Sequence, residues 1–170
     1  MDLRSIIRNV PDFPKEGVMF RDITPLLQNP EALQVSIEAL YEKIKDLDFD
    51  YIIGPESRGF IFGVPLAYKM KKGFIPVRKA GKLPYETKQQ EYDLEYGTSV
   101  IEMHVDAITP GQRVVIIDDL LATGGTSKAM VDLIQEMGGK VIKLVYLIEL
   151  EALEGREKLQ GYDVEAIIKY

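Results

Sequence analysis

The chain has 170 residues, 46% of them hydrophobic and 28% charged, which fits one folding unit over residues 1–170 and excludes disordered, collagen-like and coiled-coil proteins. Its 21 lysines and arginines against 27 aspartates and glutamates give a net charge of −6, which disfavours a nucleic-acid partner or an anionic membrane surface. Because it has no cysteine, one histidine and no apolar run of about 20 residues, we expect a cytoplasmic protein without disulfides, a Cys- or His-rich metal site or a membrane-spanning segment.

The first predicted elements are a helix, a strand and a second helix. Asn29 as the cap and Pro30 at the first helical position begin the first helix. Apolar residues spaced by three or four positions give it the period of an amphipathic helix, and they are Leu33, Ile37, Leu40 and Ile44. The apolar residues 51–54 then predict a strand, residues 55–59 a turn-rich loop, and residues 60–71 a helix.

The same order recurs in the second half of the chain. Residues 114–117 are apolar without alternation, residues 122–126 are rich in glycine and threonine, a helix follows towards Gly138, and residues 141–150 predict another apolar strand. Such strands separated by helices predict an α/β fold: a central, mostly parallel, twisted sheet with helices on both faces. Ligands of these sheets bind beyond the carboxyl ends of the strands.

A polar part of the chain lies between these two halves. Residues 99–105 alternate between apolar and polar side chains, which predicts a half-buried antiparallel strand or hairpin arm. His104 lies on the polar side of this strand, and we expect it to have a surface role. Residues 83–94 are polar and predicted to be irregular; we call this segment the lid, because such segments are typical of mobile loops.

Residues 122–126, which we call the phosphate loop, predict an anion site. Thr123, Gly124, Gly125 and Thr126 lie between a predicted strand and a predicted helix, where free backbone N–H groups, two hydroxyls and the helix dipole favour a phosphate. No lysine follows the second glycine, and the glycines lack the spacing of a dinucleotide fingerprint. A nucleoside triphosphatase and a Rossmann protein are therefore disfavoured.

Asp118 and Asp119 directly precede the phosphate loop. Their charges would repel a phosphate, so they need hydroxyl donors or a cation. A sugar diol supplies donors, and a magnesium ion carried by an anionic ligand supplies a cation, so a ribose phosphate lying across the loop is one interpretation. An acid pair at a solvated strand end is the alternative.

A second anion site is predicted at residues 54–60. The turn exposes backbone N–H groups before a helix, and Arg58 suits bidentate binding of oxygens. An ordinary strand-to-helix turn with a surface arginine is the alternative. With both sites occupied, the ligand has a phosphate at one end, a ribose in the middle and a pyrophosphate at the other end.

Residues 114–126, with the sequence VVIIDDLLATGGT, resemble the phosphoribosyl-pyrophosphate motif of the type I phosphoribosyltransferases. Further stretches resemble the adenine phosphoribosyltransferases among them, namely residues 11–14, 17–25, 54–60, 78–84 and 92–97. Ala80 stands where this family usually has proline. The resemblance implies a type I phosphoribosyltransferase fold with a small N-terminal base-binding hood and a mobile lid.

The resemblance also implies an activity: transfer of the 5-phosphoribosyl group from magnesium-bound phosphoribosyl pyrophosphate to adenine, giving AMP and pyrophosphate. It assigns ribose hydroxyls to Asp118 and Asp119, and the 5-phosphate to the phosphate loop from Ala122 to Thr126. It assigns the pyrophosphate to Glu56, Ser57, Arg58 and Gly59 with Lys79 and Lys82. The metal is Mg²⁺ carried by the substrate near Asp118, and a homodimer is expected.

The base side of the site is implied in the same way. Val18, Phe20 and Arg21 border the adenine pocket; without the resemblance, Phe20 would be a core aromatic and Arg21 an ion-pair partner of Asp22. Relatives that use 6-oxopurines typically carry aspartate where this chain has Ala122. The resemblance therefore attributes proton transfer to Glu95, with Tyr96 near the reacting centre and Arg58 also catalytic.

Two other functions remain open. One is transfer to another purine or to a pyrimidine. The other is a regulator that binds phosphoribosyl pyrophosphate as a signal, although such a regulator needs a nucleic-acid surface that the acidic composition disfavours.

Overall fold

A computed structural model describes residues 1–94 and 96–170 of the chain, and strands form two sheets within these residues. The strands of the smaller sheet are β1 (Arg8–Val10) and β2 (Phe20–Asp22). Those of the larger sheet are β3 (Tyr51–Pro55), β4 (Gly73–Lys79), β5 (Thr87–Asp93), β6 (Thr98–His104), β7 (Arg113–Leu121), β8 (Lys140–Glu149) and β9 (Val164–Lys169). Their order is β5-β6-β4-β3-β7-β8-β9, and β4, β3, β7, β8 and β9 are mutually parallel.

Helices connect the strands. They are α1 (Thr24–Gln28), α2 (Pro30–Glu42), α3 (Arg58–Met70) and α4 (Gly125–Glu136), with short 3₁₀ helices at Leu3–Ser5, Glu151–Leu153 and Gly155–Leu159. The Asn29 side chain accepts bonds from the Glu31 and Ala32 N–H groups, which confirms it as the cap of α2. Within the described residues, no helix has the length and apolar character needed to cross a bilayer.

The buried side chains form two layers, one on each face of the sheet. Ile53 and Ile116 point into a cluster that contains side chains of α4, whereas Ile52, Val115 and Ile117 point into a cluster that contains side chains of α2 and α3. A strand buried on both faces needs apolar residues at every position, because neighbouring side chains point to opposite faces. The predicted mostly parallel sheet with helices on both faces is therefore confirmed.

Two boundaries near the carboxyl edge of the sheet differ from prediction. Strand β7 continues past Ile117 to Leu121, since β8 pairs with it along this length, so Asp118 and Asp119 lie within a strand. Helix α3 begins at Arg58, two residues earlier than predicted. Because these segments contain charged and polar residues, a pattern of apolar residues does not identify them as strand or helix.

The lid was predicted to be irregular, and this prediction is wrong for Thr87–Asp93. These residues form β5, which pairs antiparallel with β6 at seven consecutive positions. As the edge strand of the sheet, β5 is held by backbone hydrogen bonds and does not need an apolar face. The predicted antiparallel strand over residues 99–105 is confirmed as β6.

Candidate active site

The two predicted anion loops meet in one cavity of about 240 Å³ at the carboxyl edge of the sheet. Residues 55, 56 and 58 line one side of this cavity, and residues 118–127 line the other. The loops are neighbours because β3 and β7 are adjacent and parallel, which places their carboxyl ends at the same edge. This is the position at which sheets of this topology bind their ligands.

The phosphate loop presents the N-terminus of α4 to the cavity. Gly124 caps this helix with a φ of +85°, a conformation that glycine adopts without strain, and Gly125 begins the helix. The first N–H groups of a helix have no partner within it, so those of α4 are available to an anion. The Thr126 hydroxyl donates to the Tyr92 hydroxyl over 3.3 Å, which connects the loop to the lid.

A glycine distant in sequence supports the phosphate loop from behind. A Cβ at Gly124 would lie 2.5 Å from the Gly155 carbonyl oxygen, so the two backbones are in direct contact. A Cβ at Gly155 would in turn collide with the Ala122 carbonyl oxygen and lie 2.9 Å from Leu121 Cδ1. Sequence analysis missed Gly155, because the contact joins segments about 30 residues apart.

Arg156 fixes the position of this glycine. Its Nε and Nη2 donate to the two carboxylate oxygens of Glu149 over 2.7 and 2.8 Å, and its Nη1 donates to the Val164 carbonyl over 2.7 Å. These bonds tie the 3₁₀ helix Gly155–Leu159 to β8 and β9. The hydrogen bond from Arg156 lowers the pKa of the buried Glu149 carboxyl.

Asp118 and Asp119 are both buried and line the cavity. The Asp119 N–H donates to Asp118 Oδ1 over 2.8 Å, and Asp119 Oδ2 accepts a bond from Arg58 Nε over 2.5 Å. Burial and the neighbouring Asp119 charge raise the pKa of Asp118 well above its usual value. New hydrogen-bond donors or a cation would therefore stabilise the carboxyl oxygens of this pair. A sugar diol supplies such donors, and a substrate-borne magnesium ion supplies such a cation.

The raised pKa of Asp118 predicts how stability depends on pH. A carboxyl of this kind contributes fully to the free energy of unfolding below its unfolded pKa of 3.8, and the contribution is lost as pH rises through the folded pKa. Asp118→Asn removes this titration. Thermal melts of the ligand-free protein should therefore show a Tm gain for the variant that grows as pH rises from about 4 towards neutral.

Glu149→Gln is the control, with the opposite sign. Because the pKa of Glu149 is lowered, its stabilising contribution is complete above the unfolded pKa of 4.5 and is lost as pH falls through the folded pKa. The parent's Tm advantage over this variant should therefore shrink on acidification. A Tm difference between Asp118→Asn and the parent that is constant with pH would contradict the raised pKa.

On the α3 side of the cavity, Glu56 binds the neighbouring strand. Its Oε1 accepts bonds from the Lys79 N–H over 2.7 Å and from Arg78 Nε over 3.3 Å, and the Glu56–Ser57 peptide bond is cis. The carboxylate therefore joins the loop to the end of β4. The side chains of Lys79, the last residue of β4, and of Lys82 are exposed to solvent. Their role in pyrophosphate binding therefore stays a prediction.

Gly59 lets α3 approach the acid pair. A Cβ there would lie 2.7 Å from the Pro55 ring and 3.1 Å from Asp118 Oδ1. Any side chain at this position would therefore push the first turn of α3 away from β7.

The N-terminal segment contacts Arg58, a residue of the cavity, through Phe20. The Phe20 ring packs edge-to-face on Phe13 at 5.1 Å between centroids, and the Arg58 guanidinium lies 5.7 Å from its centroid. Val18, on the turn before β2, is half-buried. These positions place Val18 and Phe20 in the small N-terminal substructure where the hood was expected.

The Arg21 side chain packs elsewhere. Its guanidinium lies 4.0 Å from the Tyr170 ring centroid and donates to Asn9 Oδ1, whereas Asp22 pairs with Arg8 over 3.5 Å. The alternative of an Arg21–Asp22 ion pair is therefore not the arrangement found. A role of Arg21 at the base would fall to its backbone and stays a prediction.

The predicted proton-transfer residues, Glu95 and Tyr96, fall between β5 and β6 in the sequence. Glu95 lies outside the described residues, so its role stays a prediction. Tyr96 has 79% of its surface exposed, and Lys15 Nζ lies 4.9 Å from its ring centroid. His104, on the same sheet, accepts a bond from the Tyr85 N–H over 3.4 Å and does not line the cavity.

The fold and the site together define a class of protein. Residues 22–169 match the family described as "Phosphoribosyl transferase domain". A crystal structure of adenine phosphoribosyltransferase from Thermoanaerobacter pseudethanolicus superposes with a TM-score of 0.97 at 53% identity, covering 99% of this chain and 98% of that chain. The fold is therefore that of the type I phosphoribosyltransferases.

Individual relatives define the subgroup. The adenine phosphoribosyltransferase of Lachnoclostridium phytofermentans is 61% identical over 99% of this chain and 97% of its own length. The enzyme of Saccharomyces cerevisiae, complexed with D-2,5-dideoxy-2,5-imino-altritol 1,6-bisphosphate and adenine, has a TM-score of 0.91 at 39% identity, covering 98% of this chain and 96% of that chain. The chain belongs to the phosphoribosyltransferase family and, within it, to the adenine phosphoribosyltransferases.

Proposed function

We propose that the protein transfers the 5-phosphoribosyl group of phosphoribosyl pyrophosphate to adenine, giving AMP and pyrophosphate in purine salvage. The observation that carries this proposal is one cavity, lined by the N-terminus of α4, the acid pair Asp118–Asp119 and Arg58. The yeast relative, which binds adenine together with a bisphosphate, supports the choice of base.

Each end of the sugar substrate has a place in this cavity. The 5-phosphate binds the N–H groups and hydroxyls of the phosphate loop, and the ribose hydroxyls donate to Asp118 and Asp119. The pyrophosphate lies against residues 56–59, where Arg58 already reaches Asp119, and the exposed ammonium groups of Lys79 and Lys82 approach it from β4.

The chemical step separates charge, and the chain's residues stabilise both parts. Negative charge grows on the departing pyrophosphate, which Arg58, Lys79 and backbone N–H groups stabilise. Positive charge grows on the ribose, near the carboxyl groups of Asp118 and Asp119. Bound magnesium would neutralise pyrophosphate oxygens, and the two aspartates suit it because Mg²⁺ is usually held by one or two carboxylates plus substrate phosphates.

The direct test of this function is a base-by-base assay. The purified protein is mixed with Mg²⁺, phosphoribosyl pyrophosphate and, separately, adenine, hypoxanthine, guanine or uracil, and nucleotide formation is followed by absorbance. Of the four bases, only adenine should give rapid turnover. Preference for another base would favour transfer to that base, and tight binding of the sugar pyrophosphate without turnover would favour the regulator.

Glu95 is proposed to exchange a proton with the base, because Ala122 offers no carboxylate at the position that serves 6-oxopurine relatives. Glu95→Gln should lower the single-turnover rate by about 10²- to 10⁴-fold, the usual contribution of general acid–base catalysis, with little change in adenine affinity. Glu91→Gln, an exposed position on β5, is the control. An unchanged single-turnover rate would transfer the role to Tyr96, water or the substrate.

The lid is proposed to close over bound ligand. Lys82 is exposed next to the lid, whereas Lys88 is paired with Met103 within the sheet, so trypsin should cut the free protein after Lys82. Magnesium, phosphoribosyl pyrophosphate and a non-reacting adenine analogue together should slow this cleavage, and magnesium alone should not. Equal rates at confirmed saturation would leave the lid as a static hairpin.

A homodimer is proposed through the outer face of α3. Ile61, Val64 and Tyr68 are exposed at helical spacing, and 87% of the Tyr68 surface is open to solvent. A second copy burying this stripe would lie beside the cavity, since α3 begins at Arg58. Light scattering should give twice the 19.2 kDa chain mass, and Val64→Asp should give the monomer mass.

A cytoplasmic location is the last part of the proposal. The chain has no cysteine and therefore forms no disulfides, the bonds that an oxidising compartment favours, and this supports the proposed location. Fractionation of the native cell, with activity followed in each fraction, tests it directly.

A further inference from the structure

A buried carboxylate outside the cavity has an unusual set of partners. Glu102 lies in the middle of β6 with 2% of its surface exposed, although a carboxylate is seldom buried without a cation. Its partners are uncharged donors, and four hydrogen bonds converge on its two oxygens. The Gly81 and Leu83 N–H groups reach Oε1 over 3.0 and 3.3 Å. The Thr87 hydroxyl and the Gln89 amide reach Oε2 over 3.1 and 2.9 Å.

These bonds preserve the charge of Glu102. Burial alone would raise its pKa, but the bonds from Gln89, Leu83, Thr87 and Gly81 outweigh burial and hold the pKa below its usual value. An ionised acceptor gives stronger hydrogen bonds than a neutral one. Glu102 therefore stays charged, and its hydrogen bonds fix the positions of the backbone and side-chain groups that donate to it.

The segment that Glu102 anchors carries predicted pyrophosphate ligands. Residues 79–83, which we call the lysine loop, begin at the last residue of β4 and contain Lys79 and Lys82. Glu56 binds the loop at its first N–H, and Glu102 binds it at Gly81 and Leu83, on both sides of Lys82. Since exposed lysine side chains are flexible, the backbone of this loop decides where the two ammonium groups are available.

We propose that Glu102 is a positioning residue for substrate: it holds the lysine loop in the geometry in which Lys79 and Lys82 bind the pyrophosphate of phosphoribosyl pyrophosphate. Glu102 acts through its hydrogen bonds to the backbone of this loop and does not contact the substrate. This inference rests on the proposed function, which assigns the pyrophosphate to this loop. It adds a residue on β6 to a site whose other strands are β3, β4 and β7.

The test compares three variants. Glu102→Ala removes every acceptor. Glu102→Gln keeps the shape and one acceptor oxygen for the lysine loop, while its amide can donate to the Thr87 hydroxyl and to a reoriented Gln89 amide oxygen. Met103→Ala is the matched control, because Met103 is the next residue on β6 and is fully buried, but belongs to the apolar core. It weakens the same strand and removes no bond to the loop.

Three readouts separate positioning from general stability. They are the Kd for pyrophosphate with Mg²⁺, the Kd for AMP, which lacks the pyrophosphate, and the hydrogen exchange of the Gly81 and Leu83 amides in free protein. Glu102→Ala should weaken pyrophosphate about tenfold, leave AMP within about twofold, and speed exchange of both amides. Glu102→Gln should give values of all three readouts close to those of the parent. Met103→Ala should leave the ratio of the two Kd values unchanged and should not speed hydrogen exchange of the Gly81 and Leu83 amides more than that of other amides.

The outcomes are distinct from those of the base assay. Equal weakening of pyrophosphate and AMP in Glu102→Ala, or the same pattern in Met103→Ala, would overturn the proposal and make Glu102 a structural residue. If Glu102→Ala does not fold, Glu102→Asp replaces it, because a shorter carboxylate stays charged but cannot reach both the loop and β5. None of these readouts needs adenine. A preference for another base would therefore contradict the proposed function without changing what these readouts say about Glu102.

Discussion

Replacing both cavity aspartates, Asp118→Asn together with Asp119→Asn, should abolish transfer in a protein that still folds. Hydrogen bonds to charged groups contribute about 1.5–3 kcal/mol each, so losing two carboxylate acceptors for the ribose should lower kcat/KM by about 10²- to 10⁴-fold. Folding should survive, because asparagine has the same shape and Asp118 is held at a raised pKa in the free protein. Steady-state rates and calorimetric binding of the sugar pyrophosphate measure the loss.

The control for this prediction is a second pair of changes with the same effect on net charge. Asp46→Asn with Asp48→Asn alters two exposed residues in the turn after α2, and also takes the chain from −6 to −4. This pair should keep activity close to the parent value. Near-normal turnover in the cavity pair would contradict the assignment of the ribose to Asp118 and Asp119. The two aspartates would then be structural residues of β7, buried rather than at the solvated strand end of the original alternative.

Local patterns predicted the parts of the fold whose cause is local. Asn29 caps α2 with its own side chain, and residues 114–117 are apolar because both faces of β7 are covered. The phosphate loop was predicted for the same reason, since a glycine-rich strand-to-helix turn carries its own free N–H groups. The position of the cavity followed from the topology alone, because parallel strands place such turns at one edge.

The parts that were missed depend on contacts between distant segments. Thr87–Asp93 has no strand pattern, because an edge strand is held by its neighbour's backbone. Glu102 was predicted on the polar side of a half-buried strand, yet it is buried, because the lysine loop and β5 supply donors to it. Neither effect is encoded in the spacing of apolar residues along the segment itself.

Gly155 should be as important to phosphate binding as the phosphate loop itself. Even the methyl group of alanine at this position would overlap the Ala122 carbonyl oxygen and press on the Leu121 side chain, so either the phosphate loop or the 3₁₀ helix must move. A displacement of about 1 Å in a positioning element can cost about 10²-fold in rate. Gly155→Ala should therefore weaken AMP and phosphoribosyl pyrophosphate, which share the 5-phosphate, while leaving pyrophosphate binding close to the parent value.

Gly161→Ala separates this steric effect from the ordinary cost of replacing glycine. Gly161 has a φ of +88° and open space around it, so alanine there meets no neighbour but costs about 1–2 kcal/mol of backbone strain. This control should lower the Tm and leave the Kd for AMP unchanged, whereas Gly155→Ala should raise that Kd by about 10- to 100-fold. If both variants lose stability and neither loses AMP affinity, the contact between Gly155 and the phosphate loop serves packing alone, and the N-terminus of α4 holds its geometry without support from behind.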